Sequence, residues 1–165
     1  MLVLRSRGAD GVPSDRLVLD FERRCKMRLL TRTAAGEEAG VMLPPGSPPL
    51  RHGERLQSDD GRCVEVCAAD EALLHVECPN PRALACAAYH LGNRHVKVEV
   101  GDGWLRLASD EVLAQMLGQM GLPVVRVDAA FQPEHGAYGG GHHHSHGKES
   151  AFHYAPMLHL FGPQP

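Results

Sequence analysis

Residues 89–95, Tyr89-His90-Leu91-Gly92-Asn93-Arg94-His95, end one kind of secondary structure and start another within a single turn. Upstream, Leu84, Ala87, Ala88 and Leu91 recur at helical spacing. Asn80-Pro81 is a good start for that helix, because Asn caps the first free amides and Pro suits the first helical position. Gly92 stands where the helix would finish in a left-handed residue, with Asn93 beside it. His95 then opens the alternation Val96-Lys97-Val98-Glu99-Val100, which reads as a strand. His90 and His95 are therefore not an i, i+4 pair on one helix face, and the stop between them sends them in different directions. A metal held by His95 would find one imidazole per chain there. A second copy of the chain or a distant segment would have to complete the site.

The same rhythm extends on both sides. Leu73–Cys78 reads as a strand, and Val96–Val100 and Trp104–Leu107 read as a hairpin about Gly101-Asp102-Gly103. Ser109 is expected to cap a second helix, with Asp110 and Glu111 in its first turn. Val112, Leu113, Met116, Leu117 and Met120 form its apolar stripe, with the methionines as core rather than metal ligands. Gly121 and Pro123 close it, and Val124–Val127 is the last strand. The order βαββαβ over residues 70–130 predicts a ferredoxin-like domain. That fold also hosts RNA binders, but its central strands here offer Trp104 alone as a stacking aromatic. A net charge of −3 likewise argues against nucleic acid.

Residues 1–69 predict a β-rich N-terminal domain. Met1–Leu4, Leu17–Leu19, Val41–Leu43, Arg55–Gln57 and Arg62–Cys67 are short strand candidates, with an irregular loop over Pro44–Pro49. In Arg24-Cys25-Lys26-Met27-Arg28-Leu29, alternation would turn Cys25, Met27 and Leu29 inward and a basic row outward, guarding an edge strand. Residues 131–165 collapse into Gly, His, Pro and polar residues, a flexible tail in which 136–150 should be disordered. An apolar stretch over 152–161 follows. The expected fold class is α+β: a β-rich domain, a ferredoxin-like domain and a disordered His-rich tail.

The chain holds eleven histidines, and His142, His143, His144 and His146 lie together in a glycine-rich setting. Imidazole is a borderline ligand suited to nickel, zinc and copper, and neighbours on a flexible segment can converge on one ion without a built pocket. Cys86 and His90 share a helix face four residues apart. Such a pair can bind metal, although packing and a local hydrogen bond explain it better. His52 and His75 have no partner at ligand spacing. The five cysteines form no Cys-x-x-Cys pair, which with the absence of a leader segment predicts free thiols and a cytoplasmic protein. No run reaches the ~18–20 apolar residues of a membrane span. Catalytic motifs are missing, and the Gly141–Lys148 stretch fails as a phosphate loop because five residues separate its glycines and Glu149 follows the lysine. The chain reads as a non-enzyme.

The Tyr-His-Leu-Gly-Asn-Arg-His motif at 89–95, the elements around it and the histidine-rich tail together resemble the UreE family of urease accessory proteins, which are nickel-delivering metallochaperones. The resemblance covers nearly the whole chain. It implies Ni2+ as cargo, with Zn2+ or Cu2+ able to bind the same sites. It also implies His95 as a central ligand, with His142, His143, His144, His146 and His153 as further candidates. A homodimer, the urease apoprotein complex and an accessory GTPase are the implied partners, and the β-rich half resembles a peptide-binding chaperone domain. Two departures stand out. Ala108, Ser109 and Glu111 occupy positions where many members carry histidines, and 18 residues follow Gly147 where tails in the family often end. A general nickel or zinc store, and a peptide-binding chaperone with incidental metal, remain as alternatives.

Overall fold

The computed structural model describes residues 1–135. The tail expected to be disordered over 136–150, and the candidate ligands His142, His143, His144, His146 and His153, lie outside them. In the first half, β1 (Leu2–Arg7), β2 (Asp15–Leu19), β3 (Arg28–Arg32), β4 (Glu38–Met42), β5 (Arg55–Ser58) and β6 (Cys63–Ala68) form a six-stranded sheet in the order β2-β6-β5-β1-β4-β3. β1 runs parallel to β4, and β2 parallel to β6. Alternate residues supply the core: Leu2 and Leu4, Leu17 and Leu19, Ala39 and Val41, Val64 and Val66 are all buried. The two edge strands approach one another where the Ala34 amide donates to the Arg16 carbonyl at 2.8 Å. Exposed Arg28 and Arg32 on β3 guard that edge with charge.

Part of the alternation at 24–29 is overridden. A single helical turn, α1 (Phe21–Arg24), lies where that run begins, capped by Asp20, whose carboxylate accepts from the Arg23 amide at 2.7 Å. Met27 and Leu29 do pack against the core. Arg24 does not face outward, being 2% exposed. Its guanidinium donates to the carbonyls of Leu19, Leu50 and Phe131, and these acceptors explain how a charge tolerates burial. Desolvation lowers its pKa, and Glu71 opposes that shift.

The second half has β7 (Asp70–Glu77), α2 (Pro81–Gly92), β8 (Glu99–Gly101), β9 (Trp104–Ala108), α3 (Glu111–Gln119) and β10 (Val124–Ala130). Its sheet is antiparallel throughout, in the order β10-β7-β9-β8, which is the ferredoxin-like arrangement. Leu74, Val76, Leu105 and Leu107 pack with Ala87 and Leu91 of α2 and Leu117 of α3. Gly101 is required by packing, since a Cβ there would fall 2.0 Å from the Trp104 ring.

Three local expectations change. The cap of α3 is Asp110, whose carboxylate accepts from the Leu113 amide at 2.9 Å, and Ser109 lies one residue before it. Val112 is 75% exposed, outside the buried stripe of α3. β8 begins only at Glu99, because the Val98 carbonyl is taken by the Glu134 amide at 2.8 Å. That bond belongs to residues 131–135, which composition placed in the tail. Phe131 is 3% exposed, the Gln132 amide donates to Glu99, and the Gln132 side chain accepts from the His52 amide. These five residues form a strap laid across both halves.

Candidate metal centre

Helix α2 is positioned by its ends. Asn80 accepts from the Ala83 amide at 2.9 Å, and Pro81 follows at the first helical position. At the other end the helix passes through Gly92, and the left-handed residue is His95, with φ of 55°. The expected glycine stop and the placement of His95 at the head of a strand are therefore both corrected. The hydrogen bonds define a Schellman closure: the Val96 amide donates to the Leu91 carbonyl at 3.2 Å and the His95 amide to Gly92 at 2.9 Å. Leu91 and Val96 belong to one apolar cluster, and such a contact is what brackets this reversal. Burial of Leu91 and Val96 places the turn; the nearby glycine does not.

A left-handed conformation costs a non-glycine residue about 1–2 kcal/mol. Gly92, meanwhile, is helical, where glycine costs about 1 kcal/mol relative to alanine. A Cβ at Gly92 would meet nothing within 4 Å, so neither packing nor backbone geometry within the chain requires a glycine. Both residues are locally unfavourable choices, and one of them carries the exposed imidazole. Such departures concentrate where function constrains the chain.

His95 is exposed and lines a cleft of about 310 Å³. Ala88, Val96, Val98 and Val100 supply apolar walls, while Lys97, Glu134 and His135 are its other polar residues. Composition gave no reason to single out His135. Its only signal was a position after Phe131 and Pro133, two residues the structure buries. Arg51 Nε donates to His135 Nε2 at 3.2 Å. Desolvation, and then the Arg51 charge, hold this imidazole's pKa below its usual value.

The remaining described histidines sit elsewhere. His90 is exposed, its ring edge-on to Tyr89 at 5.5 Å, and its carbonyl accepts from Arg94. Cys86 is exposed as well. His75 accepts from Arg106 Nε at 3.2 Å and lies 5.3 Å from the Trp104 ring; His52 Nδ1 accepts from the Ala68 amide. Both play structural parts. All five cysteines are free, and burial raises the thiol pKa of Cys25, Cys67 and Cys78. Among the described residues, no three His, Cys, Asp or Glu side chains cluster closely enough to hold an ion as they stand. None of the described helices is long and apolar enough to cross a membrane.

These features define a class: a two-sheet α+β protein that presents an exposed imidazole where a helix ends. Family models for the UreE urease accessory protein match residues 3–69, as its N-terminal domain, and 71–156, as its C-terminal domain. The chain is 56% identical over 163 residues to the urease accessory protein UreE of Azotobacter vinelandii, covering 98% of each. It is 54% identical over 166 residues to that of Pseudomonas fluorescens Pf-5, covering 100% of each. With Ectopseudomonas mendocina the figure is 55% over 163 residues. The chain belongs to the UreE family of urease accessory proteins, which is a family of accessory chaperones and not of enzymes.

Proposed function

We propose that this protein binds Ni2+ and delivers it to the urease assembly complex during urease maturation in the cytoplasm. The observation that carries the reading is His95: an exposed imidazole in a left-handed turn that glycine would occupy at lower cost. Neutral imidazoles bind borderline divalent cations and exchange them faster than a buried thiolate set would, which suits delivery. Zn2+ and Cu2+ would compete for the same nitrogens. Because protons seek the same lone pairs, binding weakens as pH falls through the histidine range.

The working unit is a homodimer, with His95 of each chain meeting near a twofold axis and sharing one ion. Exposed Tyr89 at 65% and Val100 at 43%, with the bare helical surface at Gly92, support a docking face around His95. His142, His143, His144, His146 and His153 capture further ions. The residue divisions 1–69, 70–130 and 131–165 assign partner contact, metal binding and capture respectively. The urease apoprotein complex and its accessory GTPase are the partners.

The test is a nickel titration of the full chain by calorimetry, paired with complementation of cells lacking the gene. Binding together with restored urease activity is expected, and His95→Ala should lose the tightest site. A protein that binds nickel yet never restores urease would be a store. Retention of the tightest site in His95→Ala would remove His95 from the site.

A further inference from the structure

We infer that His135 is a second imidazole of the His95 site, supplied by the same chain, and that Arg51 competes with the cation for it. The inference rests on His95 being a ligand.

Three observations converge. His95 and His135 line one cleft of about 310 Å³, and Glu134 adds a carboxylate to the same wall. The backbone that carries His135 is fixed there from several directions: Phe131 is buried, its carbonyl accepts from Arg24, and the Glu134 amide donates to Val98. A strap so held delivers its next residue to one place. Both imidazoles are exposed, so their side chains can rotate toward a shared ion while the backbone stays put. The three groups do not meet as they stand, but with both side chains turned inward two imidazoles and a carboxylate make a donor set suited to a borderline divalent cation such as nickel or zinc.

Arg51 makes the arrangement more than a coincidence of lining. Its Nε–H occupies the lone pair of His135 Nε2, the same electrons a metal would take. It is also a positive charge beside the site, as is Lys97. Metal binding through Nε2 therefore requires His135 to leave Arg51, so the arginine sets how easily the second ligand is recruited and released.

The experiment uses the full chain with His142, His143, His144, His146 and His153 changed to Gln, titrated with Ni2+ alone by calorimetry. Adding His135→Gln should weaken the tightest site about tenfold or more, with circular dichroism and thermal midpoint unchanged. Adding Arg51→Gln should strengthen it about threefold or more. The pair separates liganding from anchoring, because both changes remove the same hydrogen bond but only one removes the imidazole. If both weaken binding, His135 merely fastens the strap and the inference fails. An affinity within twofold of the parent for His135→Gln overturns it too. His95→Gln, tested alongside, should abolish the site. Should it leave the site intact, the reading of His95 itself fails.

Discussion

At the scale of single residues, His95 and Gly92 lend themselves to an exchange of roles. Replacing His95 with Gly removes the imidazole and relieves the left-handed backbone at once, so urea denaturation should show a gain of about 1 kcal/mol. His95→Ala should change stability little, since alanine pays a similar conformational cost in that region. Both variants should lose the tightest nickel site, and any parallel loss of fold in His95→Gly would refute the account of this turn. Gly92→Ala should likewise stabilise the helix by about 0.5–1 kcal/mol, because a Cβ there meets nothing in the chain. If a second copy docks on that surface, the same substitution should weaken dimerisation in sedimentation experiments. A stability loss in the isolated chain would mean that Gly92 has a structural duty the fold does not reveal.

Among the elements, the sequence was most readable where burial and period coincide. The βαββαβ order, the Asn80 cap and the apolar faces of α2 and, Val112 apart, α3 follow from residue type and spacing. Reading failed where a distant acceptor decides. Alternation placed Arg24 outside, yet carbonyls at Leu19, Leu50 and Phe131, the last 107 residues away, draw it in. Nor could local pattern show that Glu134 would take the Val98 carbonyl and shorten β8. Arg24→Ala should therefore cost about 3 kcal/mol, leaving buried carbonyls without a donor. Hydrogen exchange at the Glu134 amide should rise in that variant; slow exchange there would detach Arg24 from the strap. In the turn from β5 to β6, Arg62 and then Ser58 hold the Asp60 carboxyl well below the usual carboxylate range. A depressed folded pKa contributes stability above the unfolded value near 3.8, lost as pH falls toward the folded one. Carbon-detected titration should place the Asp60 midpoint below that of ordinary aspartates, and Arg62→Ala should raise it toward their range, the Ser58 hydroxyl and the residue-62 amide holding part of the depression.

For the whole molecule, the joint between the two sheets is the telling feature. The rhythm over residues 70–130 suggests a unit of its own, and the two sheets meet at a single residue, since β6 ends at Ala68 and β7 starts at Asp70. Ala69 is half-buried and its amide donates to the Leu19 carbonyl at 2.9 Å. A protease needs an extended, exposed stretch, so within residues 1–135 limited digestion should nick the loop at 44–51 first, sparing 68–70. Early cleavage at 68–70 would contradict so short a joint. The strap has a further consequence, one of local concentration. Seven peptide steps lead from His135 to His142, a contour of at most about 24 Å. If the histidine run captures an ion as proposed, that contour bounds its distance from His135, and for a tether of such length the effective concentration is in the millimolar range. Transfer from the run to His135 would be a first-order event, with a rate set by the chain and independent of how much free nickel the surroundings hold.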